Sequence, residues 1–195
     1  MNVLVVLAHP NTDSFNHAVA HQACATLTAS GHEVQFLDLY ALGLQAAMSA
    51  DERIAYHTDQ PVLDPMVAAH VELVRRAQAL VFVYPTWWSS LPAILKGWLE
   101  RVMVPGVGFV FDKAGKVKPG LTHIQRIVGV STYGAPRSYV FALNDNGRRT
   151  LTRALRMSCG LRTRCGWLGL YAIDTSTADE RTAFLRRVER RMRSL

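Results

Sequence analysis

Two kinds of hydrophobic pattern alternate along the chain. Short apolar runs, several of them rich in β-branched residues, predict buried strands at Val3–Leu7, Val34–Leu39, Leu80–Val83, Arg126–Ser131 and Trp167–Ile173. Between these runs, apolar residues recur three and four positions apart, which predicts helices over 14–29, 65–77, 91–103, 136–158 and 177–193. The stretch from 40 to 65 is irregular with a short helix at 50–57, and residues 104–121, rich in Gly and Lys, predict a long excursion.

This alternation predicts one α/β domain over residues 1–195, since no repeat, low-complexity tract or linker interrupts it. With right-handed crossovers, five strands favour a three-layer α/β/α sandwich of flavodoxin-like type, with a parallel sheet in the order 2-1-3-4-5. Ligands of such sheets lie beyond the carboxyl ends of the strands, beside the switch point between strands 1 and 3. The candidate chemistry therefore falls in three loops, at residues 9–16, 85–90 and 131–139.

The first loop, His9-Pro10-Asn11-Thr12-Asp13-Ser14-Phe15-Asn16, enters a helix N-terminus. Free N–H groups and the helix dipole favour an anion there, and His9 and Ser14 are candidate phosphate ligands. A capped helix with a solvated histidine is the alternative. The loop is not a G-x-G-x-x-G fingerprint, and no Walker A sequence occurs in the chain.

The second loop places two adjacent tryptophans, Trp87 and Trp88, just past a buried strand. Both cannot point into one helix face, so we expect at least one of them to flank a pocket suited to a flat, partly polar ring. The alternative is that both are core or interface residues.

The third loop, Ser131 to Tyr139, follows the fourth strand. Gly134 permits a tight turn, Thr132 and its neighbouring amides are candidate donors to ring carbonyls, and Tyr139 offers a phenol one turn away. An ordinary strand–helix connection is the alternative.

Composition narrows the classes of function. The formal net charge is +7, and much of the positive charge comes from late arginines interleaved with apolar residues at helical spacing, as on the solvated faces of helices. No apolar run approaches the ~20 residues that cross a bilayer, and MNVLVVLAHP fits a first strand rather than a signal peptide. We expect a cytoplasmic protein without membrane insertion. The three cysteines form no C-x-x-C pair, which favours reduced thiols over disulfides or a metal site.

Two segments together with the third loop carry a family resemblance. HPNTDSFN and YPTWWSSLPAILKGWLERVMVPGVGF resemble the NAD(P)H dehydrogenase (quinone) family of flavodoxin-like proteins, which includes quinone reductases and potassium-efflux ancillary reductases. The resemblance implies a bound FMN, with FAD as the alternative, NAD(P)H as electron donor and a homodimer. By motif position it implies a phosphate held by His9, Ser14, Phe15 and Asn16, an isoalloxazine ring lined by Pro85, Thr86, Trp87 and Trp88, and a polar ring edge reached by Ser131, Thr132, Tyr133 and Gly134.

The chain also departs from the family pattern. Tyr133 replaces the first glycine of the family's Thr-Thr-Gly-Gly loop, so its phenol either covers the ring or holds the backbone away from it. Tyr139 matches a family tyrosine implicated in proton and charge handling, and it is our candidate catalytic residue. The histidine that accompanies this tyrosine in some members is absent, because the region is Asn144-Asp145-Asn146. Phe109 or Phe111 from the long excursion is expected to complete the pocket.

The resemblance predicts an enzyme that moves hydride from NAD(P)H to a quinone or similar flat acceptor by a two-electron ping-pong mechanism. Two alternatives stay open: a flavoprotein regulatory subunit of a membrane transporter, and a non-enzymatic electron carrier. Nucleic-acid binding through the late arginines is not expected, since no helix-turn-helix or base-stacking pattern supports it.

Overall fold

In the computed structural model, which describes residues 1–195, five parallel strands form one sheet. The strands in chain order are β1 (Asn2–Leu7), β2 (Glu33–Asp38), β3 (Ala79–Thr86), β4 (Phe109–Phe111), β5 (Val117–Pro119), β6 (Arg126–Tyr133) and β7 (Arg164–Leu170). The main sheet has the order β2-β1-β3-β6-β7, while β4 and β5 form a separate antiparallel hairpin inside the excursion. The predicted five-stranded parallel sheet is confirmed, and its order corresponds to 2-1-3-4-5 when the hairpin strands are left out.

Eight α-helices connect and cover the strands. They are α1 (Phe15–Ala29), α2 (Ala50–Ala55), α3 (Pro65–Arg76), α4 (Ala93–Val102), α5 (Arg137–Ala142), α6 (Asn146–Arg149), α7 (Arg156–Cys159) and α8 (Ala178–Arg193). Ser14 caps α1 with its side chain, and Ser49 and Thr177 begin α2 and α8 with capping boxes. None of the helices has the combined length and apolar character that a bilayer-spanning segment needs.

The central strands bury both of their faces, which explains their continuous apolar runs. On one face, Val3, Val5 and Leu7 of β1 pack in a cluster with residues of α1 and α8, among them Ala23 and Val188. On the other face, Leu4 and Val6 join a larger cluster with residues of α3 and α4, among them Val71, Leu95 and Trp98. The sheet is thereby fixed from both sides, and its strand ends form a rigid base for the loops.

Two predicted elements need correction. The last strand is Arg164–Leu170 rather than 167–173, because its pairing with β6 runs from Arg164 opposite Arg126 to Leu170 opposite Thr132. It ends before Ala172, whose left-handed backbone (φ 52°) starts a 3-10 turn. The region 136–158 is not one helix: Asn144 and Asp145 are left-handed, and a π-helical segment follows at Thr150–Leu155.

The strands β3 and β6 are also longer than their apolar runs. Pro85 pairs with Thr132 and Thr86 with Tyr133, so the polar starts of the second and third loops still belong to the sheet. This extension matters for the site, because the sheet itself sets the spacing of those residues.

Candidate functional site

The three loops meet at the carboxyl end of the sheet. The amide Nδ2 of Asn16, in the first loop, donates to Oγ1 of Thr132 in the third loop at 3.0 Å. The rings of His9 and Trp87 join the first loop to the second, with centroids 5.9 Å apart. Thus the first loop contacts both of the others, as the topology predicts.

A side-chain hydrogen bond joins the second loop to the third. The hydroxyl oxygens of Thr86 and Ser131 are 2.8 Å apart, at the ends of the neighbouring strands β3 and β6. Ser131 is fully buried, so it braces the site from beneath and lines neither of the cavities described next.

Two adjoining cavities lie where these loops meet. The tryptophan cavity, of about 570 Å³, is lined by Pro85, Thr86, Trp87, Trp88, Thr132, Gly134, Ile173 and Asp174. The tyrosine cavity, of about 270 Å³, is lined by Thr86, Trp88, Ser89, Tyr133, Gly134, Ala135, Tyr139, Val140, Leu143 and Asp145. They share Thr86, Trp88 and Gly134, so together they form one cleft of the size and mixed polarity typical of small-molecule sites.

The second loop is a tight turn with a strained backbone. Trp88 and Ser89 both adopt left-handed conformations (φ 48° and 58°), which non-glycine residues rarely do. Hydrogen bonds in both directions between the backbones of Trp87 and Ser90 close the turn, and the N–H groups of Trp88 and Ser89 have no partner in the chain. The Trp88 side chain is fully exposed. Both tryptophans line the cleft rather than the core, as expected for at least one of them.

Tyr133, in the third loop, does not cover the cleft. Its ring is buried and stacks on Tyr171 with centroids 4.6 Å apart, and its hydroxyl donates to Oδ2 of Asp145 at 2.9 Å. Burial, reinforced by the Asp145 charge, raises the pKa of Tyr133 far above its usual range, so the phenol stays protonated. The neighbouring N–H of Gly134 has no intramolecular partner and remains a free donor at the cleft.

Asp145 is a cleft residue that the sequence reasoning missed. It follows Tyr139 by six positions, and its carboxylate accepts from Tyr133 and from the backbone N–H of Arg148. The left-handed backbone of Asn144 and Asp145 turns this carboxylate toward the tyrosine cavity. Its only sequence signal is the Asn-Asp-Asn triplet, residues that tolerate left-handed conformations.

Tyr139 lies on α5 with its side chain 56% exposed, and it lines the tyrosine cavity. This is the location expected of the candidate catalytic residue. Phe109 and Phe111 pack against each other in the hairpin, with ring centroids 5.7 Å apart, and line neither cavity. The expectation that one of them completes the pocket is therefore wrong for the cleft of this chain.

The first loop contains the candidate anion ligands. Ser14 caps α1, whose first N–H groups have no carbonyl partners within the helix. Asn16 is 4% exposed and its Oδ1 has no hydrogen-bond partner. Phe15 instead packs toward the core against Phe184, with ring centroids 6.1 Å apart. Burial lowers the pKa of His9, partly offset by its hydrogen bond with the Asn11 backbone, which favours the neutral ring.

A second missed feature lies behind the first loop. The Oγ of Ser14 is 3.0 Å from Nδ1 of His17, and Nε2 of His17 is 3.1 Å from Oδ2 of Asp38. The Ser14–His17 spacing of three fits one helical turn, but Asp38 is at the end of β2, and the sequence pattern alone does not bring it to α1.

Comparisons with known proteins agree with this architecture. The profile of the family described as flavodoxin-like fold matches residues 1–191. Rat (Rattus norvegicus) NAD(P)H dehydrogenase (quinone) 1 is 32% identical over 123 residues, which are 55% of this chain and 45% of that protein. The guinea pig (Cavia porcellus) protein of the same name is 29% identical over 70% of this chain and 54% of its own length. The chain thus spans about half the length of these curated relatives.

Solved structures share the fold over the full chain. Smu.1420 of Streptococcus mutans UA159 is 27% identical with a TM-score of 0.85, over 100% of both chains. An FMN-dependent NADH-azoreductase of Bacillus anthracis, solved in complex with FMN, has a TM-score of 0.73 at 14% identity, over 98% of this chain and 97% of that one. On the family profile, the sheet order and these matches, the chain belongs to the flavodoxin-like fold family and is similar to NAD(P)H dehydrogenases (quinone).

Proposed function

We propose that this protein is a flavin-dependent oxidoreductase that passes hydride from NAD(P)H to a quinone or a similar flat acceptor. The observation that carries the proposal is a cleft with exposed tryptophans and free N–H donors. The second and third loops line it, and the first loop adjoins it through the Asn16–Thr132 and His9–Trp87 contacts. The name of the rat relative and the FMN in the Bacillus anthracis structure support the same reading. We propose FMN as the cofactor, with FAD as the alternative.

The residues of the cleft fit a flavin in three respects. A phosphate needs donors and positive potential, which the free N–H groups at the start of α1 and the ring of His9 provide in part. A flat ring needs an aromatic wall, and a polar ring edge needs N–H donors. By motif position, His9, Ser14, Phe15 and Asn16 would hold the phosphate, Phe15 through its backbone N–H because its ring packs against Phe184. The ring would be lined by Pro85, Thr86, Trp87 and Trp88, and its polar edge would be reached by Thr132, Tyr133 and Gly134, with the buried Ser131 beneath them.

When bound, the flavin supplies the two-electron hydride chemistry. The residues of the chain would position the flavin and stabilise the charge that develops on it. The free N–H groups of Trp88, Ser89 and Gly134 are fixed donors, and charge that develops near them during reduction is stabilised without reorganisation. Trp88, which lines both cavities, would provide an aromatic wall for the ring.

Tyr139 is the candidate proton donor to the acceptor. Its exposed phenol lines the tyrosine cavity, where it would be within hydrogen-bond reach of an acceptor oxygen bound there. Because Asp145 accepts the hydroxyl hydrogen of Tyr133, Tyr139 is the phenol of this cavity that stays free to donate to a substrate. In the proposed ping-pong mechanism, the nicotinamide and the acceptor would occupy the cleft in turn.

Assembly and location are further parts of the proposal. Trp88, Tyr139 and Leu143 are exposed around the cleft mouth, an apolar rim that a second copy of the chain would cover in a homodimer. The three cysteines are free, in keeping with a reducing cytoplasm. Sedimentation equilibrium tests the dimer: a monomeric mass at micromolar concentration contradicts it.

A steady-state assay tests the activity. Purified protein, loaded with FMN and separately with FAD, is mixed with NADH or NADPH and a soluble benzoquinone. We expect quinone-dependent oxidation of the nicotinamide, and a kcat lower by about 100-fold or more in Tyr139→Phe, since general acid catalysis contributes about 100- to 10,000-fold. Tyr56→Phe, remote from the cleft, is the matched control. A flavin-loaded protein that oxidises neither nicotinamide is a carrier or a regulatory subunit, and the proposed activity is then wrong.

A further inference from the structure

A hydrogen-bonded chain of three side chains lies behind the first loop, and its proton positions are set by its inner end. Oδ1 of Asp38 accepts from the backbone N–H groups of Tyr40 and Ala41, both at 3.1 Å, and Oδ2 faces Nε2 of His17 at 3.1 Å. A carboxylate that accepts in this way requires a donor opposite it, so Nε2 of His17 carries a hydrogen.

The hydroxyl of Ser14 is then constrained by the charge of His17. In a neutral imidazole with a hydrogen on Nε2, Nδ1 is a bare acceptor, and the Ser14 hydroxyl 3.0 Å away donates its hydrogen to it. Ser14 Oγ also accepts from the backbone N–H of His17. In this state the hydroxyl presents only a lone pair to the mouth of the loop, which disfavours a phosphate oxygen.

Protonation of His17 reverses the bond to Ser14. Nδ1 then donates to Oγ of Ser14, and the hydroxyl hydrogen is free to point outward as a donor to an anion. The charge behind the loop also changes, because a lone Asp38 carboxylate becomes a neutral ion pair with His17.

We propose that His17 and Asp38 are a positioning pair that couples binding of the flavin phosphate at Ser14 to uptake of one proton by His17. The inference rests on the proposed function and adds to it a pH dependence of cofactor affinity. By linkage, a ligand that favours protonated His17 binds less tightly as the pH rises.

Few other titratable groups surround His17. The ring of His9, from the first loop, lies 6.2 Å from it between centroids, and the ring of His21, one turn further along α1, lies at 6.4 Å. Asp38 faces it from the end of β2. Of these rings, only that of His17 is hydrogen-bonded both to Ser14 and to a carboxylate, and the His17→Gln variant separates its contribution from that of His9.

Calorimetric titration of the flavin-free protein with FMN and with riboflavin tests the coupling. Titrations in two buffers of different ionisation enthalpy, from pH 7 to pH 8.5, give both the affinity and the number of protons taken up. Above pH 7 the FMN phosphate is already a dianion, since its second pKa is about 6. Riboflavin has the same ring without the phosphate, so it isolates the ring contribution.

For the wild-type protein, we expect proton uptake with FMN only, and an FMN affinity that falls about 3- to 10-fold over this range, within the limit of tenfold per pH unit for one proton. Asp38→Asn is the decisive variant. Its amide oxygen keeps the bonds to Tyr40 and Ala41, while its NH2 group donates to Nε2 of His17 and moves the ring hydrogen to Nδ1. We expect this variant to lose the pH slope and the proton uptake, yet to bind FMN at pH 8.5 at least as tightly as wild type.

His17→Gln is expected to lose the slope as well, and His21→Gln, the matched control on the same helix, is expected to keep it. A merely structural role predicts that Asp38→Asn weakens FMN and riboflavin alike at every pH. That result, or equal pH slopes in wild type and His17→Gln, overturns the inference and leaves the proposed function standing. A wild-type protein that binds neither flavin overturns both.

Discussion

Two polar regions of the molecule follow opposite rules. The Arg101 node, made of Arg101, Glu52 and Asp64, joins α4 to the irregular segment, and its guanidinium is 5% exposed. Arg101 donates to Glu52 at 2.7 and 2.9 Å, to Asp64 at 2.7 Å and to the carbonyl of Gln45 at 2.7 Å. Burial alone would raise the pKa of Glu52, but the bonds from Ser49 and Arg101 more than offset it and the pKa falls. Every charge of the node is satisfied within the chain.

The cleft, in contrast, has backbone N–H groups without partners in the chain and a strained backbone. Of the five non-glycine residues with positive φ, Trp88, Ser89 and Asp145 line the cleft, and Asn144 and Ala172 directly precede the lining residues Asp145 and Ile173. Free N–H groups and a fully exposed tryptophan lie in the same place. A buried ion-pair network whose charges are all paired within the chain is typical of a structural contact between elements. A strained backbone beside N–H groups without partners is typical of a ligand-binding site.

The largest expected effect comes from breaking the Arg101 node. Arg101→Met leaves the buried Glu52 carboxylate without its partner, and we expect the free energy of unfolding to fall by about 3–5 kcal/mol. Urea unfolding measures it. Arg75→Met, which breaks an exposed pair with Glu72, is the control and is expected to cost less than about 1 kcal/mol. Equal losses in the two variants would contradict the role of the node.

A smaller effect is expected for the pH dependence of stability that His70, next to the Arg101 node, produces. His70 is buried with no partner for Nδ1, and burial lowers its pKa from the ordinary 6.5. The unfolded chain therefore binds more protons, so stability is retained above pH 6.5 and falls below it, by at most about 1.4 kcal/mol per pH unit. Urea midpoints from pH 7 to pH 5 should fall less in His70→Leu than in wild type, and the exposed control His57→Leu should behave as wild type. Parallel curves for all three proteins would exclude His70 as the cause.

The smallest expected effect is that of Trp88→Gly, which should raise the stability of the fold while it weakens FMN binding. Trp88→Gly relieves a left-handed backbone and is expected to raise the free energy of unfolding by about 0.5–1 kcal/mol. Loss of ring stacking, worth about 0.5–1.5 kcal/mol, should weaken FMN binding about 2- to 10-fold. Ala172→Gly relieves a similar strain (φ 52°) without removing an aromatic ring, and should leave FMN affinity unchanged. Destabilisation of Trp88→Gly would show that the turn is not strained.

The sequence predicts the sheet and the place of the cleft because both depend on local patterns. The run Val3–Leu7 and its counterparts specify buried strands, and parallel topology then brings the three loops to one edge. The predicted strand boundaries are wrong where pairing with a neighbouring strand sets the end of a strand. The end of β7 is set by its pairing with β6, and the extension of β3 to Thr86 by its pairing with Tyr133.

The missed site residues share the same cause. Asp145 reaches the cleft through two successive left-handed residues, which helical periodicity does not predict. Asp38 meets His17 across the gap between β2 and α1, and Tyr171 meets Tyr133 through the turn after β7. Each contact joins residues distant in sequence, so only the assembled fold shows it.

The most direct test of the account is a titration of the purified, flavin-free protein with FMN and FAD, followed by absorbance and by quenching of flavin fluorescence. We expect saturable binding of FMN at one per chain, weaker in Trp88→Gly and unchanged in Ala172→Gly. Absence of saturable binding of either flavin at high micromolar concentration would contradict it.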